Sequence, residues 1–293
     1  MTKTEKSNII KGLLFTMPWI IGMCLFTLYP TIMSVYYSFT DYSLLNAPAP
    51  VGLQNYKDLF VDEVFLKTLS NTWIYAAMAL PFGMIVSLFL AILLNQGIIA
   101  RPLFRTIFFL PSLVPLVALA ILWNWLFRTN DGAINALLEM VGVTGPDWLG
   151  STLWAKPALV ITGLWGCGQA VVIYLAGLQE VPRDFYDAAR VDGANWYQQI
   201  RHITLPLISP VIYFNLIMGC IGTLQIFAVP FIMTNGGPLR STLFYSMYLF
   251  QQAFRYLNMG YACAMAVILF FMIAALTWVA HMISRKHIYY GGA

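Results

Sequence analysis

The sequence predicts an all-α fold, a polytopic transmembrane helix bundle of six spans forming a single domain over residues 1–293. Three observations predict it. Hydrophobic residues make up 60% of the chain and charged residues only 10%, where soluble domains carry about 25% charged residues. Mean hydropathy is +0.73. Apolar stretches long enough to cross about 30 Å of hydrocarbon, at about 1.5 Å per helical residue, recur six times.

The first span, near 11–39, follows "MTKTEKSNIIK" and has no small-residue cleavage pattern after a short apolar core, so it reads as a retained span. The others lie near 68–94, 106–128, 157–178, 207–233 and 258–283. Pro111, Pro115, Pro210 and Pro230 are placed to kink them. Between the fourth and fifth spans, around segment 179–206, residues 181–207 are the wettest continuous stretch of the chain, "VPRDFYDAARVDGANWYQQIRHITLPL". Pro182 and "FYDAARV" predict a short helix, Gly193 permits a turn, "NWYQQIRHI" predicts a second helix, and Leu205-Pro206 closes the segment. On periodicity alone such a pair also fits an amphipathic connector resting among headgroups.

Charge sets the orientation, since Lys and Arg are retained on the cytoplasmic side. An inside N-terminus gathers Lys3, Lys6, Lys11, Arg101, Arg105, Arg183, Arg190, Arg201, Arg285 and Lys286 there. Lys57, Lys67, Arg128, Lys156, Arg240 and Arg255 stay outside, where loops 40–67 and 129–156 also bear acids. Both termini and segment 179–206 are therefore expected in the cytoplasm, with the chain multi-pass in the cell membrane among lipid. The net charge of +4 is not gathered into a block that tracks phosphates, so nucleic acid is not an expected partner. Cys24, Cys167, Cys220 and Cys263 all fall in apolar runs and suggest neither disulfides nor a metal site.

The polar segment carries a specific spacing: Asp187-Ala188-Ala189, three residues, Gly193, nine residues, then Ile203 and Leu205-Pro206. In this it resembles the permease subunits of ATP-binding-cassette importers that work with an external binding protein, whose signature is Glu-Ala-Ala-x-x-x-Gly followed by Ile-x-Leu-Pro. The extended "AARVDGA", with "VGLQNY" at 51–56 and "TNGGP" at 234–238, is similar to the carbohydrate branch, and to the F-type more than the G-type subunit of maltose permeases. The departure is Asp187 where Glu is usual.

The resemblance implies a type I importer permease fold and a segment that seats in a cytosolic ATPase. There Asp187 would offer a carboxylate to a basic residue of that partner, Ala188 and Ala189 would allow close approach, and Gly193 would turn the chain where a side chain would collide. Asp192, Ala194, Ile203, Leu205 and Pro206 complete the motif, while Tyr186, Trp196 and Tyr197 would add apolar anchoring area. It further implies a second, related permease as heterodimer partner, two ATPase copies and an external solute-binding protein. The chain contains no Gly-Lys pair, hence no phosphate loop of the Gly-x-x-x-x-Gly-Lys type. ATP and Mg are expected on the partner, with no cofactor bound and no catalytic residue here.

Lys, Arg, Asp and Glu are essentially missing from the middle of the spans, although transporters of ionic solutes usually bear such residues despite a cost of about 2.5–3.5 kcal/mol each. The expected cargo is a neutral sugar. Candidate path residues in the fourth and fifth spans are Thr162, Trp165, Gly166, Gln169, Gly222, Thr223, Gln225 and Ile226, with Thr162, Gly166 and Gln169 on one helix face at i, i+4, i+7. By resemblance, Thr162, Gly166, Gln169, Gly222, Thr223 and Ile226 fall at positions lining the sugar site of maltose-type permeases. Each is equally well explained singly by helix-to-helix packing. An anionic solute such as glycerol phosphate is the alternative cargo. A membrane enzyme would need clustered acids or a metal site, and a secondary transporter an internal repeat; neither is evident in the sequence.

Overall fold

The computed structural model describes residues 3–96 and 101–285. Lys286, assigned above to the cytoplasmic side, lies outside the described residues. Among the described residues four helices are long and apolar enough to cross a membrane, and two bent pairs bring the total to six if each pair is one span. By internal packing the chain divides into two units. The first comprises the described residues to Asp62 together with Leu249–Phe271; the second comprises Glu63–Tyr248 and the residues from Met272.

In the first unit α1 (Lys3–Met23) continues through a π-helical turn at Cys24–Leu28 into α2 (Tyr29–Tyr37), a single apolar rod from Lys11 to Tyr37. Phe15, Trp19 and Phe26 stand exposed along it, as a lipid-facing helix requires. A two-stranded ribbon follows, β1 (Thr40–Asp41) and β2 (Ala49–Pro50), then α3 (Gln54–Val61). The "VGLQNY" stretch has a physical task here. Asn55 Nδ2 donates to the carbonyls of Ser38 and Thr40, both at 2.9 Å, and the Tyr56 hydroxyl donates to Ser38 Oγ at 2.8 Å. One side chain thus satisfies two carbonyls of a tight turn at the start of the ribbon. The start of the last helix packs against the same turn, with Tyr261 donating to Asp62 at 2.7 Å.

The second unit is organised on α4 (Glu63–Asn95), which begins five residues before the predicted span and passes Pro81 without ending. Next come α5 (Arg101–Phe109), a 3-10 turn at Leu110–Leu113 and α6 (Leu116–Leu126), with a bend of 96° between the halves. The predicted third span at 106–128 is therefore an elbow and not a straight crossing. Its cause is the pair of prolines: Val114, ahead of Pro115, is driven to an extended ψ of 128°. In the loop beyond, α7 (Ala133–Met140) is held by buried Asn135, whose Nδ2 donates to the Thr129 and Pro146 carbonyls while its Oδ1 accepts from the Trp148 indole at 2.7 Å.

The fourth predicted span is also broken, into α8 (Ala155–Trp165) and α9 (Gly168–Glu180) at 50°. Gly166 ends the first half, and Gly168 starts the second where any Cβ would collide with the Phe108 carbonyl oxygen. That glycine lets the elbow backbone lie directly on α9. Segment 179–206 folds as α10 (Arg183–Val191), α11 (Trp196–Gln199), a π-helical turn at Ile200–Thr204 and α12 (Leu205–Leu207). The helical path runs on through Leu205-Pro206 to Leu207 and breaks at Ile208, ahead of the next span.

After it, α13 (Ser209–Leu224) starts with Pro210 in its first turn, so that proline begins a helix and does not kink one. A break at Gln225–Phe227 separates it from α14 (Ala228–Met233), which contains buried Pro230. The "TNGGP" loop that follows holds Asn235, Leu239 and Arg240 at positive φ. Asn71, buried in α4, fixes it by donating to the Arg240 and Leu243 carbonyls at 2.7 and 3.0 Å. Thr72 accepts from the Tyr245 N–H, which starts α15 (Tyr245–Phe250); burial there pushes the Tyr245 hydroxyl above its ordinary pKa. The last helix among the described residues is α16 (Met259–Ser284). Both α9 and α13 pack along α4.

Candidate functional site

In segment 179–206, α10 follows Pro182 as its N-cap, carries Asp184 in its first turn and Arg190 in its last, and so complements its own dipole. It ends in a Schellman arrangement: Gly193 N–H donates to the Arg190 carbonyl at 3.1 Å and Ala194 N–H to the Ala189 carbonyl at 2.8 Å. Gly193 sits at φ +79°, yet a Cβ placed on it meets nothing within 4 Å. Among the described residues nothing stands near it, and its left-handed backbone is one that glycine adopts without strain. Asn195 and Gln198 then form a reciprocal capping box at 2.9 and 2.8 Å, which starts α11 at once.

The two helices are clasped at their base. The Tyr186 and Thr204 hydroxyls lie 3.0 Å apart, and Thr204 is buried. Tyr186, expected as apolar area, thus acts through its hydroxyl as well. Asp187 pairs with Arg190 at 3.0 Å, both about two-thirds exposed. An exposed i, i+3 pair is worth well under about 1 kcal/mol and is readily exchanged for another cation. Ala188, Asp192 and Pro206 are exposed; Ala189, Ala194, Ile203 and Leu205 are half-buried. Outward stand Phe185, Val191, Trp196 and Tyr197, an exposed apolar set on a segment at the end of the spans.

The second site is a cavity of about 390 Å³ between α4, α9 and α13. It brings together Gly166, Gln169 and Thr223 of the residues expected on the cargo path. Thr162 is not among them: it is buried and its Oγ1 donates back to the Ala158 carbonyl at 3.0 Å. The face it was to share with Gly166 and Gln169 is interrupted, because the helix ends at Trp165 and resumes at Gly168 in a new direction. Trp165 packs edge-on against Trp123 at 6.2 Å, and Gly222, Gln225 and Ile226 also lie off the cavity wall.

Sequence reasoning missed Ser87 and Asn215, which line the same cavity. The available signal was a single polar residue inside each apolar run, "IVSLF" and "YFNLI". Ser87, Asn215 and Thr223 each donate to their own helix, to Gly83, Val211 and Gly219 carbonyls at 2.6 to 3.0 Å. Their oxygens remain as acceptors. Gln169 is exposed and makes no hydrogen bond among the described residues, leaving a whole amide to meet a polar solute. Among the described residues, no charged side chain lines this cavity.

Comparison with known proteins gives this geometry a family. The family described as "Binding-protein-dependent transport system inner membrane component" matches residues 79–288. Similar chains include the probable ABC transporter permease protein YesP of Bacillus subtilis, 38% identical over 99% of this chain and 95% of that one. The lactose transport system permease protein LacF of Rhizobium radiobacter is 33% identical, over 98% and 99%. The sulfoquinovosyl glycerol transport system permease protein SmoG of Agrobacterium fabrum is 35% identical, over 94% and 90%. In fold the chain is similar to one in the crystal structure of a bacterial ABC transporter involved in the import of the acidic polysaccharide alginate, with a TM-score of 0.85 and 24% identity over 97% of this chain and 99% of that one. The protein belongs to the binding-protein-dependent transport system inner membrane components, as a multi-pass ABC transporter permease.

Proposed function

We propose that this chain is one of two related permease subunits of an ATP-driven importer for a neutral sugar or oligosaccharide. The external binding protein delivers the cargo, and two ATPase copies, holding ATP and Mg, grip segment 179–206 from the cytoplasm. The observation that carries the reading is the folded helix pair itself. Its signature residues form a Schellman turn, a capping box and a hydroxyl clasp, and it presents an apolar exposed set where no membrane span needs one. The relatives named for lactose and for starch degradation products support the sugar class. So does an uncharged cavity carrying amide and hydroxyl groups, which suit a neutral polyol. A relative named for sulfoquinovosyl glycerol, whose sulfonate is anionic, keeps an anionic cargo as the second reading.

The test is ATP hydrolysis by the reconstituted assembly, with binding protein, across neutral and anionic sugars. Stimulation by neutral sugars is expected; stimulation by anionic solutes alone would select the second reading. Asp187→Lys and Gly193→Trp are expected to leave the chain inserted but to lose ATPase co-purification and uptake. In a background without native cysteines, a cysteine at Asn195 is expected to be shielded from an impermeant thiol reagent in intact cells. Labelling from outside would reverse the orientation.

A further inference from the structure

Trp123, Tyr174 and Ser241 each bury a polar atom that makes no hydrogen bond among the described residues. Of these, only Tyr174 lines the cavity between α4, α9 and α13. It is 0% exposed and belongs to an apolar cluster with Ala91, Leu94, Leu175 and Ile208. Phenylalanine would fill the same place in that cluster and would avoid the cost of an unpaired buried hydroxyl. The hydroxyl is therefore matched to a polar group that comes from outside this chain's own packing.

Two close approaches fix its depth. A Cβ on Gly177 would stand 2.6 Å from the Val211 side chain, and one on Gly219 would stand 2.5 Å from Leu80. Ala91 shares a cluster with Ile208, so residue numbers fall along α13 as they rise along α4. Since α9 leads into segment 179–206 and α13 leads out of it, these two also run opposite ways. Counting about 1.5 Å per residue from Gly177–Val211 and Gly219–Leu80 puts Tyr174, Asn215 and Ser87 within about one helical turn of each other. All three line the end of the cavity nearest segment 179–206. Gln169 and Thr223 line the other end, with Leu80 and Met218 between. The cavity thus has two polar ends, and the buried one is drawn from three helices.

We propose that Tyr174 is a specificity-determining contact, its hydroxyl donating to a hydroxyl oxygen of the bound sugar at that buried end. The proposal rests on the reading of this cavity as part of the path of a neutral sugar. Ser87 and Asn215 donate to the Gly83 and Val211 carbonyls, whereas the Tyr174 O–H is uncommitted among the described residues. Their oxygens can accept from the same sugar, so the three side chains offer both halves of a hydroxyl's hydrogen bonding. At 0% exposure Tyr174 is reached only when the wall gives, which makes it a contact of the settled cargo and not of the arriving one. Away from water such a contact discriminates sharply, because a sugar without the matching hydroxyl leaves the phenol unpaired.

The test is uptake by the reconstituted assembly, wild type against Tyr174→Phe. The probe is the neutral sugar that most stimulates ATP hydrolysis, together with its single-deoxy analogues. In the wild type one analogue is expected to be taken up about fivefold less well than the parent at limiting concentration. In Tyr174→Phe the parent should fall by about the same factor, and that analogue should carry no further penalty. Discrimination by the external binding protein is common to both proteins and cancels. The unfolding temperature of Tyr174→Phe in detergent should not fall, since the hydroxyl bonds nothing among the described residues. The same discrimination among analogues in both proteins overturns the proposal. A lowered unfolding temperature also overturns it, by giving the hydroxyl a structural partner. Gln169→Ala is measured alongside. If it lowers uptake while Tyr174→Phe does not, the cavity carries sugar without Tyr174 and this proposal alone falls. If neither changes uptake, or no neutral sugar stimulates the ATPase, the reading of the cavity falls and the proposal with it.

Discussion

In segment 179–206 the bonds that set the fold close over short distances: Ala194 to Ala189, Asn195 to Gln198, and Tyr186 to Thr204 across 18 positions. The cavity between α4, α9 and α13 draws its wall from Ala79 to Thr223, and the side chains of Ser87, Asn215 and Thr223 donate to carbonyls of their own helices. One site is therefore a local object that any bundle could carry. The other exists only because α9 and α13 lie against α4 at particular depths, and those depths are set by glycines and helix breaks away from the polar groups. The comparison teaches where each is vulnerable: the cavity through its architecture, the segment through its backbone.

The largest effect is expected where the cavity's architecture is tightest. In Gly168→Val a Cβ meets the Phe108 carbonyl oxygen and stands 2.9 Å from Phe109 Cα, both backbone atoms that cannot step aside. Overpacking of this kind costs about 3 kcal/mol, read as a lowered unfolding temperature in detergent, and uptake is lost with it. A variant as stable as the wild type would show that the elbow does not press on α9. Next comes Asn71→Ala, which orphans the buried carbonyls of Arg240 and Leu243 and is expected to cost about 2 kcal/mol. The matched control is Asn215→Ala in the cavity. Its amide serves only a carbonyl of its own helix, and the change is expected to cost less than about 1 kcal/mol.

The segment's weak point is conformational. Gly193→Ala brings no contact within 4 Å, so its only cost is the left-handed backbone at φ +79°, about 1 kcal/mol. Gly193→Asn, which tolerates that region better, is expected to lose less. If alanine and asparagine cost the same, the turn does not hold its left-handed form in the working protein.

The same contrast explains what the sequence made legible. Turn, cap and signature are spacing rules over a few residues, and from Pro182 to Asn195 the expected helix–turn–helix is what forms. Six apolar runs likewise correspond to four continuous spans and two bent pairs. What spacing could not reveal was direction. A periodicity of 3.6 places Thr162 with Gln169 only if the helix is unbroken, and Gly166 with Gly168 breaks it. Pro111 and Pro115 were legible as prolines, but a 96° elbow depends on Val114 being driven extended just ahead of Pro115. Ser87 and Asn215 stayed hidden because a lone polar residue that bonds its own helix leaves no pattern.

The smallest expected change in stability is at Gln169, one residue from the position with the largest. Its side chain is exposed on the cavity wall and bonds nothing among the described residues, so Gln169→Ala removes no intrachain contact and should leave the unfolding temperature unchanged. What it removes is an amide for a cargo hydroxyl. One such bond is worth about 0.5–1.5 kcal/mol, and uptake at limiting sugar should fall several-fold. Thr223→Val loses a donor already committed to the Gly219 carbonyl at 2.8 Å, and its effect should be smaller, through the lost acceptor. Gln225→Ala and Trp165→Ala, off the cavity wall, should leave the ranking of sugars as it is. Uptake across a sugar panel decides the matter. A larger shift in ranking from Gln225→Ala than from Gln169→Ala would mean that the cargo passes outside the space between α4, α9 and α13.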